Sequence, residues 1–362
     1  MNLRIEKIRL KDLESFVQSE TFQQFTTIPI TILRAKSYLN NPNAQPDDVV
    51  LYLGFIEKQL VAFRSIFADR IFSENKQIRF AWCSGNWVHS DFRRKGFSEQ
   101  LLHEAFADWN GKLMFTNYAP NSEKLYLKTG LFQPIHQFQG FRGYLFPKTR
   151  KLIQGANKNQ VTKFLFSSVD RFIGVFSSVR LLFFTSNQNP DFEFEHIQFP
   201  DTECYQILQN NPQNHIFDRG ETQLKWIFQF PWISTNRQTE VEKYPFSAYS
   251  NSFLYQTVKI FNKKKLAGFF IFSVREGHLK TLFFCITEED GKEVAKYLKQ
   301  FCVNQKTEVV TVYNFEIAQH LFKQKFPFLR TKKYGQKIYS SFDIKNSANL
   351  QYQDGDGDVI FT

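Results

Sequence analysis

The sequence predicts an α/β (α+β) fold in which a mixed central sheet is flanked by helices, and it predicts that fold twice over. Three observations lead there. Apolar strand-like runs alternate with amphipathic helical stretches along the chain. The stretch from Trp82 to Gly130 reads strand, basic glycine turn, helix, strand, short helix. The second half repeats much of that order: Phe261-Asn262-Lys263-Lys264-Lys265-Leu266-Ala267-Gly268-Phe269 echoes Phe55-Ile56-Glu57-Lys58-Gln59-Leu60-Val61-Ala62-Phe63, each a strand, a charged turn and a strand.

The chain has 362 residues, more than one ordinary domain of about 100–200. With 42% hydrophobic residues and 43 phenylalanines it can fill sizeable, Phe-rich cores. Its net charge of +11 suits an anionic ligand, nucleic acid or an acidic membrane surface. Cys83, Cys204, Cys285 and Cys302 are scattered without a CxxC pair, which predicts free thiols in a reducing compartment and no zinc or disulfide framework. The start, Met1 to Glu6, alternates like a strand and lacks the apolar region of a secretory leader. These readings predict a cytoplasmic protein.

A first domain is expected over residues 1–147. Leu3, Ile5 and Ile8 mark a strand. Lys11 to Phe25 and Ile30 to Leu39 read as helices split at Pro29. Val49 to Ile56 and Leu60 to Phe67 form a hairpin across Glu57-Lys58-Gln59, and Ile78 to Val88 is the next strand. A helix from Phe97 to Trp109 carries Leu101, Leu102, Ala105 and Phe106 at helical spacing. Lys112 to Tyr118 is a strand, Asn121 to Gly130 a short helix, and Gln133 to Phe146 closes the domain with aromatic-rich strands.

Residues 148–190 are expected as a linker with one amphipathic helix, because Leu165, Val169, Phe172, Phe176, Val179 and Phe183 recur in steps of four and three. It reads as a helix packed between domains, or as a basic, Phe-rich helix on a membrane surface, which leaves a peripheral membrane contact open. The second domain is expected over 191–362, with strands at Leu279 to Ile286 and Glu308 to Tyr313 and helices at Glu288 to Cys302 and Asn314 to Lys325.

The turn Arg93-Arg94-Lys95-Gly96-Phe97-Ser98 carries the chemistry. Gly96 lets backbone pass close to a ligand, and Ser98 is small. The amides from Arg94 to Ser98 stand at a helix N-terminus, with three cationic side chains beside them. That combination suits a pyrophosphate. A solvated basic turn opening an ordinary helix is the alternative. With Trp87-Val88 upstream and Leu125-Tyr126-Leu127-Lys128-Thr129-Gly130 downstream, the stretch resembles the cofactor half of the GNAT (GCN5-related) acyl-CoA N-acyltransferases. The order of elements over 1–147 is similar to that fold as a whole, and 191–362 resembles a degenerate second copy.

The resemblance implies acetyl-CoA or another acyl-CoA as co-substrate and direct attack by an amine acceptor, a small molecule or sugar. It implies no metal and no need of nucleic acid. Trp87, Val88, Arg93, Arg94, Lys95, Gly96, Phe97, Ser98 and Asn121 would bind the cofactor, with backbone amides near the end of the Ile78 to Val88 strand holding the thioester carbonyl. Asn121 is equally a helix N-cap. Tyr126 would protonate the departing thiolate; alternatively it is a core aromatic beside Leu125. Arg94 stands where the family often has glycine, which makes the turn bulkier. No base stands out, and His89 reads as part of a surface turn. In the second copy, Thr287-Glu288-Glu289-Asp290-Gly291 replaces the basic turn and Phe322 replaces the tyrosine, so this copy is expected to fold without binding coenzyme A in the same way. Two other readings stand beside this one: a transferase like the aminoacyl-tRNA-dependent peptidoglycan enzymes, which also pair two such folds, and a non-catalytic coenzyme A-binding module.

The tail from Tyr352 to Thr362 puts Asp354, Asp356 and Asp358 ahead of Val359-Ile360-Phe361. It starts like a calcium loop, but no distal glutamate follows. A frayed end is the default. The apolar finish instead predicts docking into a groove between the domains. That would carry the aspartates, and the terminal carboxylate with them, toward the acceptor side of the site.

Overall fold

The computed structural model describes residues 2–73, 76–117, 120–146, 171, 173–175, 178–185, 187–210, 215–237, 239–345 and 351–362. It divides into two units that interleave along the sequence. The first takes Met1–Gln137, Leu208–Phe253 and Gln336–Thr362; the second takes Phe138–Ile207 and Leu254–Gly335. The sequence reading instead sets boundaries at 147 and 191. Strand pairing accounts for the difference, because each unit takes in a strand that the sequence places in the other half.

In the first unit, β1 (Arg4–Arg9), β2 (Val49–Ile56), β3 (Gln59–Ser73) and β4 (Lys76–Val88) pair antiparallel in succession. β5 (Leu113–Thr116) lies parallel to β4. The end of β12 (Arg330–Ser340) pairs antiparallel with β5, so Ile338 meets Thr116 and Ser340 meets Met114. β2 and the middle of β3 are buried on both faces, which is why they read as continuous apolar runs rather than alternating ones. Helix α4 (Phe97–Asp108) sets Leu101, Leu102 and Ala105 against Tyr52, Val61 and Ile66.

The expected helix from Lys11 to Phe25 is two helices, α1 (Leu10–Gln18) and α2 (Glu20–Gln24). Ser19 breaks it: its backbone is extended, and its hydroxyl accepts from Phe22 N to cap α2. The helix expected from Ile30 is α3 (Ile32–Leu39), which starts once the Thr31 hydroxyl can accept from Arg34 N. The strand expected to reach Tyr118 stops at Thr116, and Tyr118 lies outside the described residues. The short helix is α5 (Pro120–Lys128).

The second unit repeats the order. Its sheet runs from the latter part of β6 (Gln133–Tyr144) through β11 (Val309–Val312), β10 (His278–Cys285), β9 (Lys265–Arg275) and β8 (Phe253–Asn262) to β7 (Phe192–Ile197). β10 and β11 are its parallel pair, as β4 and β5 are in the first unit. The expected aromatic strands closing the first domain are thus one strand, β6, and it supplies the partner of β11. Phe141, Phe270, Phe272, Phe284 and Phe328 fill this core. Most of the amphipathic helix expected over 161–184, including Leu165, Val169, Phe172 and Phe176, lies outside the described residues. Of its apolar stripe, Val179 and Phe183 are exposed. No helix among the described residues is long and apolar enough to cross a membrane. The four cysteines are free.

The tail is docked, and it docks within the first unit. Val359, Ile360 and Phe361 are buried in a short turn (Asp358–Phe361). The Phe361 ring stacks on Trp232 with centroids 4.4 Å apart and meets Trp226 and Phe67 edge-on. Trp226 lies on the helix Glu221–Gln229, part of the segment that the sequence reading gives to the second domain. A buried guanidinium fixes the approach. Arg219 holds both oxygens of Asp69 on β3, at 3.2 and 3.0 Å, and pairs with Asp356 at 3.3 Å.

One cation shared by two carboxylates leaves Asp356 poorly compensated. Burial raises its pKa to about 7, against the pull of Arg219. The folded carboxyl therefore holds its proton more tightly than the unfolded one. Its contribution to stability is full at low pH and is lost as pH rises through about 7. We expect Asp356→Asn, neutral at every pH, to gain on the parent between about pH 5 and about pH 8 in urea unfolding. A difference that is flat or falls with pH would refute this account of the anchor.

Candidate functional site

β4 and β5 part almost as soon as they meet. Ala81 pairs with Leu113 and Trp82 with Met114, and the parallel register ends there. On the other edge of β4 the register slips by one residue: Ser65 faces Gly85 and Ile66 faces Cys83, so Ser84 is a bulge. The bulge turns β4 away from β5 and leaves a wedge whose strand edges are free to bind a ligand through backbone groups.

The basic turn lies at the end of β4. Arg93, Arg94, Lys95 and Gly96 are exposed, whereas Phe97 is buried as the first residue of α4. Gly96 has φ +79, and a Cβ there would meet nothing within 4 Å, so backbone conformation and not crowding calls for glycine. Arg94 also lies in the left-handed region, at φ +66, where a side chain costs roughly 1–2 kcal/mol. The Arg94 backbone thus takes the conformation that glycine favours. Arg93 Nε donates to Val88 O at 3.4 Å, and Lys95 lies over the Phe92 ring. Trp87 is half-buried and stacks on Phe63. Val88 packs against the core. Ser98 donates to Asn86 Oδ1 at 2.7 Å. His89 accepts from Asp91 N at 3.4 Å and stays in its surface turn. Asn121 is the second residue of α5, and its side chain lies outside the described residues.

The chain ends of β4 and β5, α5 and the tail together line a cavity of about 250 Å³. Cys83, Ser84, Asn86, Thr116 and Tyr126 form one side; Arg34, Trp232, Tyr244 and Asp358 form another. Tyr126 is both the core aromatic and the cavity residue of the two sequence readings: its ring packs on Phe115 at 4.2 Å, and its hydroxyl accepts from Arg64 Nη1 at 2.7 Å. Arg64 is fully buried and also donates to Ser98 O at 3.2 Å, while its Nε has no partner. No carboxylate among the described residues pairs with it. Burial works against the charge of Arg64, but Tyr126 and Cys83 outweigh it and hold its pKa up. Burial also raises the Tyr126 phenol and the Cys83 thiol, with Arg64 opposing in each case. The Tyr126 phenol thus stays protonated. Asp358 completes the cavity, accepting from Ser84 Oγ at 2.8 Å and Thr116 Oγ1 at 3.5 Å.

Neither a protein-family model nor a curated protein matches the chain. Solved structures do. A protein of unknown function from Enterococcus faecalis V583, described as a probable N-acyltransferase, is similar over 94% of this chain and 72% of its own, with a TM-score of 0.51 at 10% identity. The chain has a GNAT-like fold, a mixed sheet flanked by helices. A GCN5-related N-acetyltransferase from Anabaena variabilis ATCC 29413 is similar over the same shares at a TM-score of 0.49 and 10% identity, which adds no argument of its own. Both units have the parallel strand pair with a helix between its strands. In the second, Asp290 turns inward to accept from Thr287 N and Oγ1 at 3.0 and 2.8 Å, and Phe322 packs on Phe141.

Sequence reading missed Arg64, Arg34, Ser84, Asn86, Trp232 and Tyr244. Arg64 had a signal: it is a cation in the middle of the apolar run Leu60 to Phe67. Trp232 and Tyr244 had none, because nothing local assigns residues 208–253 to the first unit.

A buried cation without a counter-ion is a poor choice for stability. We therefore expect Arg64→Met to keep or raise the stability measured by urea unfolding. A loss above about 2 kcal/mol would mark Arg64 as structural.

Proposed function

We propose that the first unit transfers an acyl group from acyl-CoA to an amine. The observation that carries this reading is a single cavity at the β4–β5 wedge that holds both the Tyr126 hydroxyl, gripped by Arg64, and the Asp358 carboxylate. The exposed turn at Gly96, followed by the positive end of α4, supports a pyrophosphate site bearing Arg93, Arg94 and Lys95. The wedge leads from that turn to Tyr126. Its free strand edges suit an amide-bearing arm and a thioester carbonyl, with amides near the Ser84 bulge as donors to the developing oxyanion. Trp87, Val88, Phe97, Ser98 and Asn121 belong to this cofactor site in the same reading.

The chemistry then follows from the groups present. An ammonium ion enters beside Asp358 and gives up one proton, to the carboxylate or to solvent through it. The neutral nitrogen attacks the thioester carbonyl, a C–N bond forms and the C–S bond breaks. Sulfur leaves with the electron pair and takes the Tyr126 proton. The second proton lost by nitrogen restores Tyr126 by way of solvent, so the products are an amide, a free thiol and one released proton. Arg64 eases the step: its charge stabilises phenolate character on Tyr126 and negative charge on the departing sulfur.

Two measurements test this. Acetyl-CoA should raise the melting temperature of the chain by mass action, and Gly96→Glu should abolish the shift by adding a side chain and negative charge at a left-handed position. A shift that survives the substitution removes the turn from the site. Tyr126→Phe and Asp358→Asn should each lower the turnover number about 10–1000-fold while sparing acetyl-CoA affinity. Unchanged turnover in either variant would reduce that residue to a packing role.

A further inference from the structure

A cation in the second unit serves neither its apolar core nor the acyl-transfer reading. Lys299 lies on the helix Gly291–Asn304 and is 4% exposed. An ammonium group has three donors and is strongly hydrated in water. Buried here, it donates to Gln324 O, and no carboxylate among the described residues pairs with it. Burial pushes its pKa down to about 8, as expected of a charge that its surroundings compensate poorly.

Lys299 and Gln324 both line a groove of about 410 Å³, within the roughly 300–1,000 Å³ of small-molecule sites. The other charged residues of that lining are lysines. Lys296, three residues earlier on the same helix face, is ion-paired with Glu293 at 2.8 Å. Lys325 is exposed and makes no ion pair among the described residues. Arg180 stands beside the groove: it lies over the Phe326 ring and donates to Pro327 O and, at 3.3 Å, to Phe328 O. The Gln324, Pro327 and Phe328 carbonyls thus each accept from a cation, and the described lining holds no carboxylate.

Rings supply the rest of the groove. Phe183, Phe184 and Phe326 line it, with Phe184 and Phe326 at 5.9 Å between centroids. Phe183 is 77% exposed and Phe326 42%, so apolar ring surface is left for a ligand to cover. A bare inorganic anion would use the lysines and leave the rings in water. An uncharged apolar molecule would cover the rings and leave Lys299 uncompensated. A molecule with an anionic head on an apolar body uses both.

We propose that this groove binds a small amphiphilic anion, a carboxylate on an aromatic ring or a short apolar chain, with its head at Lys299 and Lys325 and its body on Phe183, Phe184 and Phe326. The site lies wholly within the second unit and stands or falls independently of the acyl-transfer reading.

The test titrates the full chain with 1-naphthoate and with octanoate, followed by calorimetry. Acetate and inorganic phosphate supply a head without the body, and 1-naphthalenemethanol a body without the head. At least one of the two carboxylates should bind about tenfold or more tightly than acetate, phosphate or the alcohol, and the tighter of the two tells a ring from a chain. Lys299→Met, which removes the charge and keeps an apolar stem, should weaken that binding about tenfold or more. Phe183→Ser should weaken it about threefold or more by removing the ring that the body covers. Binding of neither carboxylate overturns the proposal. So does phosphate or the alcohol bound as tightly as the carboxylate, and so does an affinity that Lys299→Met leaves unchanged. If Lys299→Met does not fold, Lys325→Met and Phe183→Ser, both at exposed residues, decide: an affinity unchanged in both overturns it.

Discussion

The parting of β4 from β5 is the constraint on which the rest of the first unit depends. Two strands that stay paired leave no room for a ligand; two that separate after Trp82 and Met114 leave a wedge with unpaired edges. The Ser84 bulge makes the separation possible by adding a residue to β4 that β3 does not match. Everything polar in the site is arranged around that opening. Ser84 and Thr116, one on each side of it, donate to Asp358. Tyr126 reaches it from α5, and Arg64 reaches Tyr126 from β3.

The polar groups are costly, and the core around them offsets that cost. Arg64 and Arg34 are guanidiniums in apolar surroundings, held by phenols, a carbonyl and an indole instead of carboxylates. Close packing keeps their positions fixed: Tyr126 sits among Phe115, Phe132 and Tyr339, and Arg34 is flat against Trp232. A site of this kind has its donors in place before any ligand arrives, which is the condition for electrostatic stabilisation without reorganisation. Arg219 is the contrasting case. It is a buried cation with two carboxylates, and its work is to hold the tail by Asp356 so that Asp358 reaches the wedge.

The two units share an order of elements and differ in their polar groups. Both have the parallel strand pair followed by a short helix. In the second unit the turn closes on itself through Asp290, and Phe322, half-buried against Phe141, offers no hydroxyl. Apolar periodicity maintains the fold, and a few side chains at the wedge decide whether it has a polar centre.

The sequence by itself determined the strand and helix order of the first unit, the basic glycine turn at the head of α4, and the contrast between Tyr126 and Phe322; the left-handed backbone at Gly96 came from the structure. These are local matters: apolar period, turn chemistry and residue type act over a few neighbouring positions. It also indicated that Val359, Ile360 and Phe361 would dock, since a solvated tail has no use for them. It did not show where. Only the tertiary structure decided that β6 and β12 serve the units opposite to their place in the sequence, that residues 208–253 complete the first unit, and that Arg34, Tyr126 and Asp358 meet around one cavity. Those outcomes depend on pairing and packing between residues hundreds of positions apart, as with Ser84 and Asp358, and no local pattern encodes such a partner.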